Sequence, residues 1–265
     1  MIDRGRGIPV VFIPGIQGRW EWMAPAIDAL ASRCRVLTFS LCDEPTSGFE
    51  CDPRRGFTSY LDQIDQAMTR AGVERAVILG LSFGGLIATE FAARYPERVN
   101  GLILASALPV GWQLDPRVRF YLRAPRVLSP LFVAASPFRM FPEIRRAFPT
   151  VATRLRFSVA SAMRVFRAFL SPARMARRIE WMQRHQFADP RLVSTPALVI
   201  TGEDDLDRVV APPLTRRYLA MLPSAQAVVL RDTGHLGFLT RPELFADTVM
   251  QFADQVWSNA RRVSA

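Results

Sequence analysis

A serine framed by two glycines is the feature of the sequence best suited to covalent chemistry. The motif GLSFG covers residues 80–84; it overlaps the end of the apolar run Ala76–Leu81, and a helical pattern follows it. On such a strand-to-helix turn the serine hydroxyl projects above the sheet, while the glycines leave room for neighbouring backbone. The N–H groups that open the helix would face an oxyanion. Ser82 is therefore predicted to be a nucleophile; the alternative is a glycine-rich turn without a catalytic role.

One of the two histidines follows a predicted strand. His235 ends the segment VVLRDTGH, residues 228–235, in which a strand leads into a loop. Parallel sheets place catalytic groups beyond the carboxyl ends of their strands, which favours His235 as the base that activates the nucleophile. The alternative is a structural loop histidine. The other histidine, His185, lies in an arginine-rich segment.

Three aspartates compete to be the carboxylate that orients this imidazole. They follow the apolar run Ala197–Thr201, in a segment that reads GEDDLDRVV over residues 202–210. Asp205 lies three residues after Gly202, and Asp207 lies three residues before a valine. Asp207 is the favoured acid, Asp205 stays an alternative, and Asp204 is interpreted as a solvated loop residue.

Strands alternate with helices on both sides of these motifs. Because the strands are continuous apolar runs, the pattern predicts an α/β fold, with a mostly parallel six-stranded sheet covered by helices on both faces. The predicted strands are Pro9–Ile13, Arg35–Leu41, Ala76–Leu81, Val99–Ala105, Ala197–Thr201 and Ala227–Leu230. The predicted helices are Trp20–Arg33, Thr58–Ala71, Phe83–Arg94, Pro212–Met221 and Pro242–Trp257.

The alternation stops in a helical, arginine- and proline-rich segment. We therefore predict an α/β core of residues 1–111 and 191–265 and a helical cap of residues 112–190. All 34 basic residues of the chain are arginines, and residues 116–191 hold 16 of them against three acidic residues. The net charge of +10 is thus concentrated in one unit, which suggests a separate structural role for it.

Several classes of protein are disfavoured by composition. No run of about 18 apolar residues is present, so no transmembrane segment is predicted, and the first ten residues lack the apolar centre of a secretory signal. The odd count of cysteines (Cys34, Cys42 and Cys51) predicts no disulfide framework and a cytoplasmic location. No metal-ligand cluster occurs, and a dinucleotide fingerprint would need glycine at position 82, so no cofactor is predicted.

Four motifs together resemble the α/β-hydrolase superfamily, and within it the small capped serine hydrolases related to esterases and lipases. They cover essentially the whole core, and they read IPGIQG at residues 13–18, GLSFGG at 80–85, TGEDDLDRVV at 201–210 and DTGH at 232–235. The order of serine, acid and histidine in that family matches Ser82, Asp207 and His235. The resemblance also implies an oxyanion hole formed by the backbone N–H groups of Ile16 and Phe83.

Two departures from the family pattern concern loops. Pro14 stands where the family usually has histidine, and residues 41–57 lack the usual D-x-x-G-x-G-x-S motif. Asp43 and Glu44, in the second of these loops, are interpreted as loop charges rather than catalysts.

The expected activity is hydrolysis of a carboxylic ester through an acyl-enzyme on Ser82. Haloalkane dehalogenases and epoxide hydrolases of this superfamily have an aspartate nucleophile at the turn where this chain has Ser82. The resemblance therefore implies that the chain is neither of these enzymes. Lipase, thioesterase, lactonase and carbon–carbon bond hydrolase remain open, as does a ligand-binding protein of this fold with little turnover.

The expected partner is a small apolar acyl substrate, with an anionic group if the arginines of the cap attract one. The aromatic side chains of the cap could line an acyl cavity or pack the cap onto the core; they are Phe132, Phe138, Phe141, Phe166 and Trp181. A third hypothesis is peripheral membrane or nucleic-acid binding through the basic cap, since the helical segment Leu155–Leu170 is amphipathic. No nucleic-acid motif accompanies the charge, so no nucleic-acid partner is predicted. The oligomeric state is left open.

Overall fold

A computed structural model describes the backbone of residues 1–263 and their side chains, except those of residues 117, 125, 126, 129–137, 260, 261 and 263. Seven strands form one sheet: β1 Ile2–Arg4, β2 Pro9–Ile13, β3 Arg35–Thr38, β4 Ala76–Leu81, β5 Val99–Ala105, β6 Ala197–Thr201 and β7 Ala225–Val229. Their order across the sheet is β1-β3-β2-β4-β5-β6-β7.

The predicted α/β class with a mostly parallel sheet is confirmed. Strands β2 to β7 pair in parallel, and β1 pairs antiparallel to β3, with Ile2 opposite Thr38. The sheet has seven strands rather than the predicted six, because β1 is a short polar edge strand without an apolar run. β4, which ends at the serine motif, lies between β2 and β5 and is buried over its whole length.

The helices cover both faces of the sheet. Helices α2 and α3 pack on one face, while α1 and α11 pack on the other, so each face has its own hydrophobic cluster. The bounds are α1 Ala24–Ala31, α2 Thr58–Arg70, α3 Phe83–Arg94, α4 Pro116–Arg123, α5 Pro125–Ala147, α6 Val151–Arg167, α7 Pro172–Arg184, α8 Pro212–Arg216, α9 Tyr218–Met221, α10 Gly237–Thr240 and α11 Pro242–Val263. Short 3-10 turns cover Trp20–Met23, Pro96–Arg98 and Pro190–Leu192.

Helices α4 to α7 lie between β5 and β6 in the chain, and we call residues 112–190 the helical insertion. Of the aromatic residues expected to line or pack a cap, Trp181 is buried, but Phe138, Phe141 and Phe166 are exposed. At least half of each of these three side chains is exposed, so none of them is enclosed. Phe132 has its side chain outside the described residues. Among the described residues, no helix is both long and apolar enough to cross a bilayer.

A buried arginine ties the helical insertion to the core. Arg178 of α7 is fully buried and donates to both carboxylate oxygens of Asp43, at 2.9–3.1 Å, and to Glu44. Arg174, one turn earlier, donates to Glu44 at 3.0 Å. Both acids follow β3 and have buried side chains, so they are more than the loop charges expected from the sequence. Buried ions are tolerated only in such pairs.

We expect Arg178→Met to lower the free energy of unfolding by about 3–5 kcal/mol, because two carboxylates would lose their main buried partner. Urea titration followed by circular dichroism measures this loss. The matched control is Arg184→Met on the same helix, whose exposed side chain pairs with an exposed glutamate, and we expect it to cost at most about 1 kcal/mol. An equal loss of unfolding free energy in the two variants would contradict the claim that the buried Arg178 network attaches the helical insertion to the core.

Candidate active site

Ser82 lies at the turn from β4 into α3, in a backbone conformation that is rare for a residue with a side chain. Its φ is +53° and its ψ is −117°. The turn is held by hydrogen bonds: the Ser82 N–H donates to the Ala105 carbonyl at 2.9 Å, and its carbonyl accepts from Gly85 N–H at 2.9 Å and Leu108 N–H at 3.2 Å. The neighbouring backbone therefore fixes this strained geometry, as expected for a nucleophile elbow.

The two glycines of the motif are required by close backbone contacts. A Cβ on Gly80 would lie 2.4 Å from the Gly84 carbonyl oxygen, and a Cβ on Gly84 would lie 2.5 Å from the Pro14 carbonyl oxygen. Any side chain at either position would force the backbone apart. The second contact also sets the elbow directly against the loop that follows β2 and carries Ile16.

His235 and Asp207 are in direct contact. Nδ1 of His235 lies 3.2 Å from Oδ2 of Asp207, and the other carboxylate oxygen accepts from the N–H groups of Val209 and Val210 at 3.0 and 2.9 Å. Both oxygens of the Asp207 carboxylate therefore have hydrogen-bond partners, one on the imidazole and one on the backbone. Since β4, β6 and β7 are parallel, their carboxyl ends bring Ser82, Asp207 and His235 to the same edge of the sheet.

The other two aspartates of the loop point elsewhere. The Asp205 side chain is 68% exposed and lies 4.0 Å from Arg146, while Asp204 pairs with Arg216. Of the two acids left open by the sequence, Asp207 is the one placed beside the imidazole.

The charges of the pair perturb each other. Burial alone raises the pKa of Asp207, but the facing His235 and the two valine N–H groups outweigh it and lower that pKa. For His235 burial alone lowers the pKa, but Asp207 and, to a lesser degree, Glu143 raise it above its ordinary value. The raised pKa means that the site stabilises the imidazolium, the state that forms when His235 takes a proton, more than water would.

Glu143 is a residue of this site that sequence reasoning missed. It lies on α5 of the helical insertion, is buried, and accepts from the Leu236 N–H at 2.8 Å and from the Thr240 hydroxyl at 3.0 Å. It thereby holds the loop immediately after His235, and burial raises its own pKa. Its only sequence signal was that it is one of four acidic residues among the arginines of the insertion.

The two residues predicted to form the oxyanion hole lie on adjoining segments. Phe83 is the first residue of α3, and Ile16 lies on the loop that contacts Gly84. Neither backbone N–H has an acceptor among the described residues. The carbonyl of Ile16 accepts from Nη1 of the buried Arg178 at 2.6 Å, which fixes the conformation of its loop. Two unpaired donors on rigid backbone are what an oxyanion hole needs.

Two cavities adjoin the helical insertion. One, of about 240 Å³, is lined by the apolar side chains of Leu86, Pro109, Trp112, Leu114, Met182 and Phe187, and also by Gly111, Gln113, Gln183 and His185. Leu86 lies one turn into α3 from Ser82. The other, of about 860 Å³, is lined mainly by the loop after β3, together with Gln66, Arg70, Arg177 and Trp181. Neither cavity is lined by Ser82, Asp207 or His235. Among the described residues, no three acidic, histidine or cysteine side chains are grouped to hold a metal ion.

The raised pKa of His235 has a consequence for the pH dependence of the rate. A general base must be neutral, so activity is lost as the pH falls through this pKa, and a raised pKa moves that acid limb to higher pH. Because Glu143 contributes to the rise, we expect Glu143→Gln to shift the limb of kcat/KM to lower pH. Glu203→Gln removes an acid that accepts from the Asp232 N–H instead, and we expect it to leave the limb in place. An unshifted limb in Glu143→Gln would contradict this assignment.

The strand order, the strained elbow and the His–Asp pair define a protein of the α/β-hydrolase fold. The sequence matches the alpha/beta hydrolase family over residues 10–248, and the chain belongs to that family. It is 28% identical over 262 residues to a candidate carbamate hydrolase, RutD, of Rhizobium rhizogenes, covering 95% of this chain and 94% of that one. It is 27% identical over 261 residues to the poly(3-hydroxyalkanoate) depolymerase of Ectopseudomonas oleovorans, covering 93% and 84%.

A solved structure is similar over the same extent. The enol-lactonase from Burkholderia xenovorans LB400 superposes with a TM-score of 0.74 at 23% identity, over 95% of this chain and 94% of that one. At this identity the likeness concerns the fold alone.

Proposed function

We infer that the protein is a serine hydrolase that cleaves a carboxylic ester. Ser82 is the nucleophile, His235 is the general base, and Asp207 is the carboxylate that orients the imidazole of His235. The observation that carries this proposal is the contact of His235 with the buried Asp207 at the sheet edge where the strained Ser82 lies. Ser82 Oγ attacks the carbonyl carbon while His235 Nε2 takes its proton. The N–H groups of Ile16 and Phe83 bind the resulting oxyanion, and Asp207 stabilises the imidazolium.

The collapse of this intermediate expels the alcohol, which takes the proton from His235. The acyl group stays on Ser82 until a water, activated by the same imidazole, attacks the ester and releases the acid. No cofactor is needed for either half of the reaction. The helical insertion, proposed to be the cap of this site, contributes through Glu143 and Arg178, which hold the loops of His235 and Ile16.

A short apolar acyl group suits the smaller cavity. Its volume of about 240 Å³ lies below the range of about 300–1,000 Å³ that is common for drug-sized ligands. Its walls are connected to the elbow, because the Leu108 N–H donates to Ser82 and the next residue, Pro109, lines the cavity. The relatives named as carbamate hydrolase and poly(3-hydroxyalkanoate) depolymerase are consistent with acyl chemistry, without choosing among these bonds.

The test is a series of p-nitrophenyl esters with acyl chains of increasing length. p-Nitrophenyl phosphate is the matched control, because it has the same leaving group and no carbonyl carbon. We expect turnover of the acyl esters, fastest for short chains, and none of the phosphate. Turnover of neither would favour the ligand-binding alternative, and equal rates for all chain lengths would contradict the assignment of the smaller cavity.

A further inference from the structure

Helix α6 of the helical insertion turns its apolar face outward. The large apolar side chains of this face are exposed: Phe166 is 85% and Leu155 is 63% exposed, as is Phe169 just beyond the helix at 72%. None of the residues of α6 is buried. We call this surface the α6 outer face, and it consists of Val151, Leu155, Val159, Met163, Phe166 and Phe169.

The opposite face of α6, which turns toward the protein, is more polar. It carries Arg154, Ser161 and Arg164, with Phe157 packed against Phe148. The end of the helix is fixed to the core, since the indole N–H of Trp22 donates to the Ala168 carbonyl at 2.9 Å. A helix that packs on its own domain has the reverse arrangement, with its apolar side inward. An exposed apolar surface formed by six side chains indicates contact with another molecule or with a membrane.

The charges around the stripe determine which environment fits. Arg156 and Arg167 lie along one edge of the α6 outer face, are exposed, and have no hydrogen bond or ion pair among the described residues. The helical insertion as a whole, residues 112–190, holds 15 arginines against four acidic residues. A second copy of this chain would bring two cationic rims together, which like-charge repulsion disfavours. A surface of anionic phospholipid would attract the rim and accept the apolar side chains.

We propose that the α6 outer face docks the protein onto an anionic phospholipid bilayer, with α6 lying in the plane of the interface. Phe166, Phe169 and Leu155 enter the boundary between headgroups and acyl chains, and Arg156 and Arg167 face the lipid phosphates. This docking does not depend on the proposed hydrolase activity.

The test is co-sedimentation of the full chain with phosphatidylcholine vesicles that contain about one third phosphatidylglycerol. We expect binding that weakens as salt is raised, and at least about tenfold weaker partitioning for the double variant Phe166→Ser/Phe169→Ser. Arg156→Gln/Arg167→Gln is expected to weaken partitioning by about tenfold or more. Leu192→Ser and Arg191→Gln are the matched controls, since both side chains are exposed outside α6, and we expect binding to be unchanged.

Three results would overturn the proposal. The first is absence of binding to the anionic vesicles, and the second is equal binding of the wild type and the Phe166→Ser/Phe169→Ser variant. The third comes from sedimentation velocity without lipid: a dimer that the same double variant dissociates would assign the α6 outer face to a second copy. Circular dichroism of each variant checks that it is folded.

Discussion

Ser82→Ala is expected to lower kcat/KM for a p-nitrophenyl ester by at least about 10⁴-fold, because it removes the atom that forms the covalent intermediate. Loss of one triad member leaves only the catalysis that an oxyanion hole and substrate binding supply. Steady-state kinetics on purified protein measure the effect. The fold should be retained, since alanine removes one oxygen and leaves the backbone hydrogen bonds of the turn unchanged.

The chain offers a matched control for this variant. Ser106 follows the neighbouring strand β5, has a positive φ of 41° and is 7% exposed, close to the 9% of Ser82. Ser106→Ala therefore removes a hydroxyl that is similarly buried and that also lies on backbone with a positive φ, but it leaves the proposed nucleophile in place. We expect it to retain activity within a few-fold of wild type, and a loss as large as that of Ser82→Ala would contradict the assignment of the nucleophile.

Asp207→Asn is expected to lower kcat by about 10⁴-fold with a much smaller change in KM. The amide can present an N–H to Nδ1 of His235, which favours the wrong imidazole tautomer, and it no longer stabilises the imidazolium. Steady-state kinetics and the pH profile of kcat are the measurements. Because Asp207 raises the pKa of His235, any residual activity should also have its acid limb at lower pH.

Asp205→Asn is the control for Asp207→Asn, two positions earlier in the same loop. Its exposed carboxylate lies 4.0 Å from Arg146, so its loss removes only a weak surface interaction. We expect kcat to stay within about twofold of wild type. The reverse result, a large loss in Asp205→Asn and a small one in Asp207→Asn, would assign the acid to Asp205.

The sequence predicted best what local signals determine. β4 and α3 have the bounds that were predicted, since an apolar run, a glycine-framed turn and Pro96 mark their ends. β1 was missed because three residues with a single apolar side chain, Ile2, carry no strand signal, and the strand depends on pairing with β3. The sequence also could not decide whether Asp205 or Asp207 pairs with His235. Both follow the same strand, and only the conformation of the folded loop directs one of them to the imidazole.

The helical insertion was predicted less completely, for a physical reason. Periodicity shows which residues of α6 share a face, but the side to which that face turns depends on contacts such as Trp22 with Ala168. The buried roles of Arg178 and Glu143 likewise depend on partners more than 90 residues away in the chain. The separate cap, the cytoplasmic location and the oxyanion hole stay predictions.

The central claim is that Ser82 is a nucleophile activated by His235, and phosphonylation by a fluorophosphonate tests it most directly. Peptide mapping by mass spectrometry should find the adduct on Ser82 alone, and the rate of labelling should fall by about 10²-fold or more in His235→Ala. An adduct on another residue, or a Ser82 adduct that forms equally fast without His235, would contradict it.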